Sequence, residues 1–206
     1  LPMDYNDNGL TDLVVVCTDT PYNGVYFFEN TGEIDPETDL PLYKPARRLG
    51  RAVDNASISY VNEEHFVTTP GNWYPDFKNT AFENPVSLPI PDAVDIHSEE
   101  GRIRANQWKF IDYNGNGVMD VIVGIGFWGE YGWDDAYNES GQWMNGPLRG
   151  YVYLLENTGS NDNPVYNDPE RLLNTDGDPV DVFGRPSPNF ADYTGDGKLD
   201  LICGEF

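Results

Sequence analysis

The chain has 206 residues, of which 35 are Asp or Glu and 12 are Lys or Arg, so its formal net charge is −23. Such an acidic chain repels a phosphate backbone, and we therefore expect no nucleic-acid partner. A hydrophobic fraction of 39% with 14% aromatic residues indicates a folded chain, and the absence of an apolar run of about 18 residues predicts no membrane span.

The chain opens on a polar loop, Asp4-Tyr-Asn-Asp-Asn-Gly-Leu-Thr-Asp12, which we call loop 1. The pattern returns at residues 112–120 (loop 2) and 192–200 (loop 3), with Asp at positions 1 and 9, oxygen-bearing side chains at positions 3 and 5, and Gly at position 6. Oxygen donors spaced in this way around a glycine turn suit calcium, which takes six to eight oxygen ligands in a flexible cage. Three copies predict a repeat protein built on cation-binding loops.

A short apolar run follows each loop, at residues 13–17, 121–125 and 201–203. These runs are rich in β-branched residues and end at polar residues or glycine, which predicts buried strands rather than helices. An EF-hand would place a bidentate Glu at position 12 and a helix after the loop. Because position 12 is Val15, Val123 or Cys203, the sequence excludes an EF-hand and places the cation in a turn between strands.

The repeat continues beyond this first buried strand. An aromatic segment ending in Glu-Asn-Thr-Gly occupies residues 24–32 and again 150–159, and each copy is followed by a proline-led segment and then by Arg-Leu. Asn-Thr-Gly is typical of a turn that closes a hairpin. Four short antiparallel strands per repeat, separated by turns, predict an all-β chain built from the four-stranded blades of a β-propeller.

The spacing of the loops predicts how the chain divides into blades. Loops 1 and 2 begin at residues 4 and 112, a separation that leaves room for a whole additional blade of about 40 to 50 residues. We predict one propeller region over residues 1–206, and its blades are placed at about 1–49, 50–100 and 101–180, with the start of another at 181–206. The second blade keeps a strand at Ile58 but has no cation loop.

An insertion at residues 124–150 enlarges the third blade between its second and third strands, at the opposite end of the blade from loop 2. It supplies the candidate substrate-binding residues Trp128, Tyr131, Trp133, Asp134, Asp135, Tyr137 and Trp143. Long loops on a rigid scaffold commonly carry binding sites, and flat aromatic faces rimmed by carboxylates suit sugar rings. The alternative is that the rings pack on one another and hold a glycine-rich loop in place.

The predicted blades are too few to close a ring, because closed propellers have about four to eight. The chain starts inside one repeat and stops just after the strand that follows loop 3. We therefore expect the rest of the propeller to come from sequence outside this chain or from another chain.

The loops and the aromatic segments together resemble FG-GAP or VCBS repeats, in which Asp-x-Asp-x-Asp-Gly-x-x-Asp loops bind calcium inside propeller blades. The resemblance covers most of the chain and implies about three structural calcium ions, one per loop, held by side chains at positions 1, 3, 5 and 9 and by the backbone carbonyl at position 7. The implied ligands are Asp4, Asn6, Asn8, Leu10 and Asp12 in loop 1, Asp112, Asn114, Asn116, Val118 and Asp120 in loop 2, and Asp192, Thr194, Asp196, Lys198 and Asp200 in loop 3.

The family that these repeats resemble has no single activity, since it includes integrin-like adhesion propellers, lectins, and propeller-shaped polysaccharide lyases and hydrolases. With the aromatic insertion, the resemblance predicts a calcium-stabilised propeller of a carbohydrate-active protein that acts outside the cytoplasm, in a secreted, periplasmic or cell-surface location, on a polysaccharide. Whether the chain is an enzyme stays open, with a polysaccharide lyase or a glycoside hydrolase as the two candidates. The alternative is a non-catalytic, integrin-like module that recognises another protein through the same face.

Few residues are candidates for catalysis. A lyase that removes a proton beside a uronate carboxylate needs a base such as His or Tyr and a cationic group for the carboxylate. His65, His97, Tyr131 and Arg149 have suitable chemistry, although no spacing in the sequence brings them together. The sequence contains no phosphate-binding glycine loop, Gly-x-Ser-x-Gly, His-Glu-x-x-His or Cys-x-x-Cys.

Overall fold

The computed structural model describes residues 1–91, 103–132 and 134–204, with only the backbone at positions 104 and 105. The fold is all-β with several antiparallel sheets, which confirms the predicted class. The chain divides into two compact units, Leu1–Leu88 and Pro89–Phe206. Within the described residues, no helix has the length and apolar character needed to cross a membrane.

The first unit contains two four-stranded antiparallel sheets, ordered β1-β2-β3-β6 and β10-β9-β8-β7, and a separate hairpin of β4 and β5. Its elements are β1 Pro2–Met3, β2 Asp12–Cys17, β3 Gly24–Phe28, β4 Asn30–Ile34, β5 Pro41–Tyr43, β6 Arg47–Gly50, β7 Ser57–Val61, β8 Glu64–Thr69, β9 Asn72–Trp73, the short helix α1 Phe77–Thr80, and β10 Val86–Ser87.

The two sheets of the first unit share one hydrophobic core. Val14 on β2 and Val25 on β3 point inward from the first sheet, and they belong to one buried cluster with Val67 from β8 and Phe77 from α1. The alternation of buried and exposed residues along β2 is that of a strand with one face against the core. The single turn of α1 is the one helix among the described residues, and the sequence gives no amphipathic signal for it.

The structure corrects the predicted strand order of the first repeat. The proline-led segment does not join the four-stranded sheet, because β5 pairs with β4. The fourth place in the sheet belongs to β6, which contains the Arg-Leu pair. Asn30 also does not close a hairpin turn; its N–H donates to the carboxylate of Asp12, and the chain then continues as β4.

In the second sheet of the first unit, a tight turn joins the first two strands in place of a polar loop. Its strand β7 confirms the strand predicted at Ile58. A two-residue turn, Asn62-Glu63, joins β7 to β8, and both residues have positive φ, 51° and 68°. Such turns close a hairpin directly. There is no polar loop at this position to hold a cation.

The second unit contains a five-stranded sheet, in which β14 and β15 both pair with β13, and a two-stranded hairpin of β16 and β17. Its strands are β11 Ile103–Ile111, β12 Asp120–Phe127, β13 Arg149–Leu155, β14 Glu170–Arg171, β15 Asp181–Val182, β16 Ser187–Ala191 and β17 Asp200–Gly204. A strand follows each of the three loops, as β2, β12 and β17, which confirms that prediction.

Strand β12 lies at the centre of the second unit and is buried along almost all of its length. This burial on both faces accounts for its continuous apolar sequence. Gly124 interrupts that sequence because residues 186–188 approach closely. A Cβ at this position would lie 2.4 Å from the carbonyl oxygen of Pro186.

Candidate metal loops and aromatic insertion

The Asp at position 1 closes each loop in the same way. In loop 1, Oδ1 of Asp4 accepts the N–H of Asn8 at 3.0 Å and Oδ2 accepts the N–H of Gly9 at 2.8 Å. The equivalent pairs, at 2.9–3.0 Å, are Asp112 with Asn116 and Gly117 in loop 2, and Asp192 with Asp196 and Gly197 in loop 3. Glycine at position 6 has φ between +80° and +83° in all three loops, a conformation that favours glycine.

Positions 5 and 9 also repeat their hydrogen bonds. The side-chain oxygen at position 5 accepts the N–H of position 7, at 2.9 Å from Leu10, 2.7 Å from Val118 and 3.0 Å from Lys198. The carboxylate at position 9 accepts the N–H of position 2, at 3.0 Å from Tyr5, 3.1 Å from Tyr113 and 3.0 Å from Tyr193. The three loops therefore share one conformation, which the two Asp residues and the glycine determine.

In loops 1 and 2, an asparagine that lies two residues past the third strand of the sheet is bonded to the loop. Asp12 and Asp120 are both 0% exposed, and their Oδ1 atoms accept the N–H of Asn30 at 2.8 Å and of Asn157 at 2.7 Å. The same asparagines donate from Nδ2 to the loop carbonyl before each Asp, at 3.0 and 3.2 Å. This role of Glu-Asn-Thr-Gly is not predicted from the sequence, although the motif recurs with the loops and that recurrence is its signal.

Burial and hydrogen bonding act in opposite directions on the pKa of the position 9 carboxylates in loops 2 and 3. Burial raises the pKa of Asp120, while the N–H groups of Asn157 and Tyr113 partly oppose this shift. Nearby carboxylates, including Glu156, raise it further. In loop 3, the hydrogen bond from the Thr194 N–H lowers the pKa of Asp200. A cation in loop 2 would favour the ionised form of Asp120 and offset its burial.

The chemistry of the loop residues fits calcium. Carboxylate, amide, hydroxyl and carbonyl oxygens are the ligands of hard cations. An ionised carboxylate has about four lone-pair sites, and Asp4 uses two of them on backbone N–H groups. Among the described residues, no group of three or more His, Cys, Asp or Glu is arranged to hold a metal. In loops 1 and 2, positions 3 and 5 are Asn, which is outside these four residue types.

The aromatic insertion occupies residues 128–148, between β12 and β13. Loop 2 precedes β12 and the insertion follows it, so the two lie at opposite ends of that strand. Ring centroids are 5.3 Å apart for Trp128 and Tyr131, 4.6 Å for Tyr131 and Trp143, and 5.2 Å for Tyr137 and Trp143. These four residues form one group of contacting rings, which we call the aromatic cluster.

Part of the ring surface of the aromatic cluster is covered by packing within the cluster. The Trp143 indole N–H donates to the Gly146 carbonyl at 3.1 Å, which fixes the ring against the loop. Tyr137 keeps 60% of its surface exposed and lies at the end of the cluster. Asp134 and Asp135 are also exposed, whereas Trp133 lies outside the described residues. A ligand would therefore meet the ring of Tyr137 before the other rings of the cluster.

Arg149 supports the base of the insertion. Its guanidinium contacts Asp181 on β15 at 2.6 Å and Glu130 in the insertion at 3.7 Å. The hydrogen bond to Asp181 is the main cause of its raised pKa. The adjacent N–H of Gly150 donates to the same carboxylate at 3.0 Å. Two carboxylates already neutralise this guanidinium, so its position favours holding the insertion rather than binding an anionic substrate.

The structure does not assemble the four catalytic candidates into one described site. Tyr131 and Arg149 are both associated with the insertion, since Tyr131 follows the Glu130 that Arg149 contacts. Burial raises the pKa of Tyr131, and the Asp134 carboxylate adds to this shift. His65 belongs to the first unit, on β8, where burial and then Lys78 lower its pKa. His97 lies outside the described residues.

Known proteins give no independent indication of function. Comparison with protein-family models, with curated proteins and with solved structures finds no match to this chain. The function is therefore inferred from the three loops and the aromatic cluster.

Proposed function

We propose that this chain is a calcium-stabilised, propeller-type scaffold that binds a polysaccharide through its aromatic insertion, outside the cytoplasm. The observation that carries the proposal is the same hydrogen-bond pattern in three loops of equal length, each between two antiparallel strands. The same conformation in three distant segments indicates a shared function. Cation binding is the function that fits their oxygen-rich composition.

Calcium would be held by the five ligand positions already given for each loop, and its role would be structural. Each loop joins two strands, and in loops 1 and 2 an asparagine links the loop to the segment that follows β3 or β13. A cation bound there would stabilise the two strands and this segment together by neutralising clustered carboxylates. Ligand binding of this kind favours the folded state by mass action.

The propeller arrangement is part of the same proposal. The sheets follow one another along the chain, and their first three strands are neighbours in sequence order in both β1-β2-β3 and β11-β12-β13. The β16–β17 hairpin repeats the first two strands of this pattern around loop 3.

Glycan binding is assigned to the exposed end of the aromatic cluster. A sugar ring presents apolar C–H groups that stack on an aromatic face, and its hydroxyls donate to nearby carboxylates. Tyr137 offers an exposed ring, and Asp134 and Asp135 offer exposed acceptors. A backbone hydrogen bond closes the same end of the insertion, where the Met144 N–H donates to the Ala136 carbonyl at 2.8 Å.

A glycan array of neutral and acidic plant and algal polysaccharides tests the binding role. Wild type and the Tyr22→Ala variant, in which an exposed tyrosine of the first unit is removed, should bind the same glycans. Tyr137→Ala should weaken that binding roughly threefold to tenfold, the usual value of one aromatic contact. The release of an unsaturated uronate from a bound glycan would identify a lyase.

A protein-recognition module is the second candidate. It is favoured by the packing of Trp128, Tyr131 and Trp143 on one another, which leaves less ring surface for a sugar. Silence across the array would refute glycan binding and leave this candidate. Equal glycan binding by Tyr137→Ala and wild type would refute the assignment of the glycan site to the aromatic cluster.

A further inference from the structure

A groove of about 330 Å³ opens in the first unit beside loop 1. Its lining includes Tyr5 from the loop, Leu49 from β6, and Thr80 at the end of α1. This volume lies at the lower end of the range for small-molecule sites. The groove is separate from the aromatic cluster, which belongs to the second unit.

The charge of the groove is opposite to that of the chain. Its lining contains Arg47, Arg48 and Lys78, which are three of the 12 Lys and Arg residues in a chain of net charge −23. Glu83 is the one acidic residue that lines it. Lys78 also pairs with Asp7 at 2.6 Å, at the edge of loop 1. A surplus of positive charge therefore remains in the groove.

Arg47 is the cation most available to a ligand. Its guanidinium carbon lies 5.3 Å from the ring centroid of Phe27, and that ring is 4.7 Å from the ring of Tyr5. These contacts orient the guanidinium without using its hydrogen atoms. Among the described residues, none accepts a hydrogen bond from this guanidinium or forms an ion pair with it. Its five N–H donors are open.

The other two cations are partly engaged. Arg48 donates to the Asn23 carbonyl at 3.0 Å, which leaves further N–H groups on its guanidinium. Lys78 uses one of its three hydrogen atoms on Asp7. Both therefore add positive charge to the groove, and both retain some capacity to donate.

We propose that this groove binds a small monoanionic carboxylate, with Arg47 as the principal contact and Lys78 as a second cation. The planar fork of a guanidinium matches the two oxygens of a carboxylate. Asp7 offsets the charge of Lys78 and Glu83 offsets a second cation. The single positive charge that remains is balanced by a monoanion. A polyanion would extend beyond the groove and meet the strong negative charge of the rest of the chain. The ligand is thus a small acid.

Calorimetric titration of the whole chain with galacturonate, galactose, acetate and phosphate tests this site. We expect galacturonate to bind, galactose to give no heat, and added salt to weaken the binding of the acid. Arg47→Gln should weaken it about tenfold or more, since a charged hydrogen bond is lost. Arg47→Lys keeps the charge without the fork and should give an intermediate affinity.

Lys44→Gln is the matched control, because Lys44 is exposed, pairs with Glu29 and does not line the groove. It should leave binding unchanged. If acetate and galacturonate bind with equal affinity, the groove recognises the carboxylate alone. If galacturonate binds with higher affinity than acetate, the groove recognises an acidic sugar. Both results support the site. Stronger binding of phosphate, equal binding of galactose, or unchanged binding by Arg47→Gln with its native melting temperature would overturn it.

Discussion

Replacing Asn157 by Ala should destabilise the second unit, because this side chain joins loop 2 to β13. Asn157 is only 3% exposed. Its Nδ2 donates to the Met119 carbonyl at 3.2 Å, and its Oδ1 accepts the N–H groups of Gly159 at 3.0 Å and Val165 at 2.9 Å. At about 1 kcal/mol for each of these bonds, the expected loss is about 3 kcal/mol of unfolding free energy.

The matched variant is Asn30→Ala, at the equivalent position of the first unit. Asn30 makes two such side-chain bonds, to the Thr11 carbonyl at 3.0 Å and from the Gly32 N–H at 2.9 Å. Its side chain is less buried, so we expect a loss of about 1 to 2 kcal/mol.

Urea denaturation followed by tryptophan fluorescence measures both variants. Tryptophan emission reports mainly on the second unit, because four of the five tryptophans lie between residues 108 and 143. Circular dichroism in parallel reports on both units. If Asn157→Ala costs less than about 1 kcal/mol, or no more than Asn30→Ala, the asparagine does not hold the loop in the way described here.

Burial lowers the pKa of Lys109 from 10.5 to about 8. Between these two pH values the unfolded chain binds more protons than the folded chain, so the free energy of unfolding should rise with pH. Lys109→Met should remove this rise, which amounts to at most about 3 kcal/mol. Parallel pH curves for the two proteins would contradict it. Gly124→Ala should cost about 1 to 3 kcal/mol through the clash with Pro186, whereas Gly204→Ala, which meets nothing within 4 Å, should be neutral in the same thermal melt; equal effects would be inconsistent with the close packing at β12. Arg149→Met should expose the insertion to proteolysis by releasing Glu130 and Asp181, and an unchanged cleavage pattern would show that the ion pairs are dispensable.

Local pattern was sufficient to predict the strands. The apolar runs after loops 1, 2 and 3 are strands because β-branched residues follow a tight polar turn, and both signals lie within a few residues of each other. The strand at Ile58 was predicted from the match of Gly50-Arg51 to Gly184-Arg185, which precedes loop 3 by eight residues. The missing cation loop there is explained by the tight turn at Asn62 and Glu63.

Contacts between distant residues were not predictable from local pattern. The bond from Asn157 to Asp120 joins residues 37 positions apart, across the whole insertion. The equivalent bond from Asn30 to Asp12 joins residues 18 positions apart, and β5 pairs with β4 outside the four-stranded sheet. Periodicity in a sequence describes the face of one strand, and it carries no information about which distant carboxylate an amide will meet.

The candidate binding sites also depend on contacts that local pattern does not predict. The aromatic residues of the insertion were visible in the sequence, but their packing on one another depends on the folded loop. The cationic groove was not visible, because Arg47 and Lys78 lie on different elements and come together only through the core under Tyr5. Composition gave no indication of a cationic groove, since the chain as a whole is strongly acidic.

Calcium titration of the metal-free chain, by calorimetry with atomic-absorption analysis of the dialysed protein, tests the central claim most directly. With three loops of one conformation, the account predicts about three ions per chain, a higher melting temperature in calcium than in EGTA, and one ion fewer in Asp112→Ala. A chain that binds no calcium and melts at the same temperature in excess EGTA would contradict it.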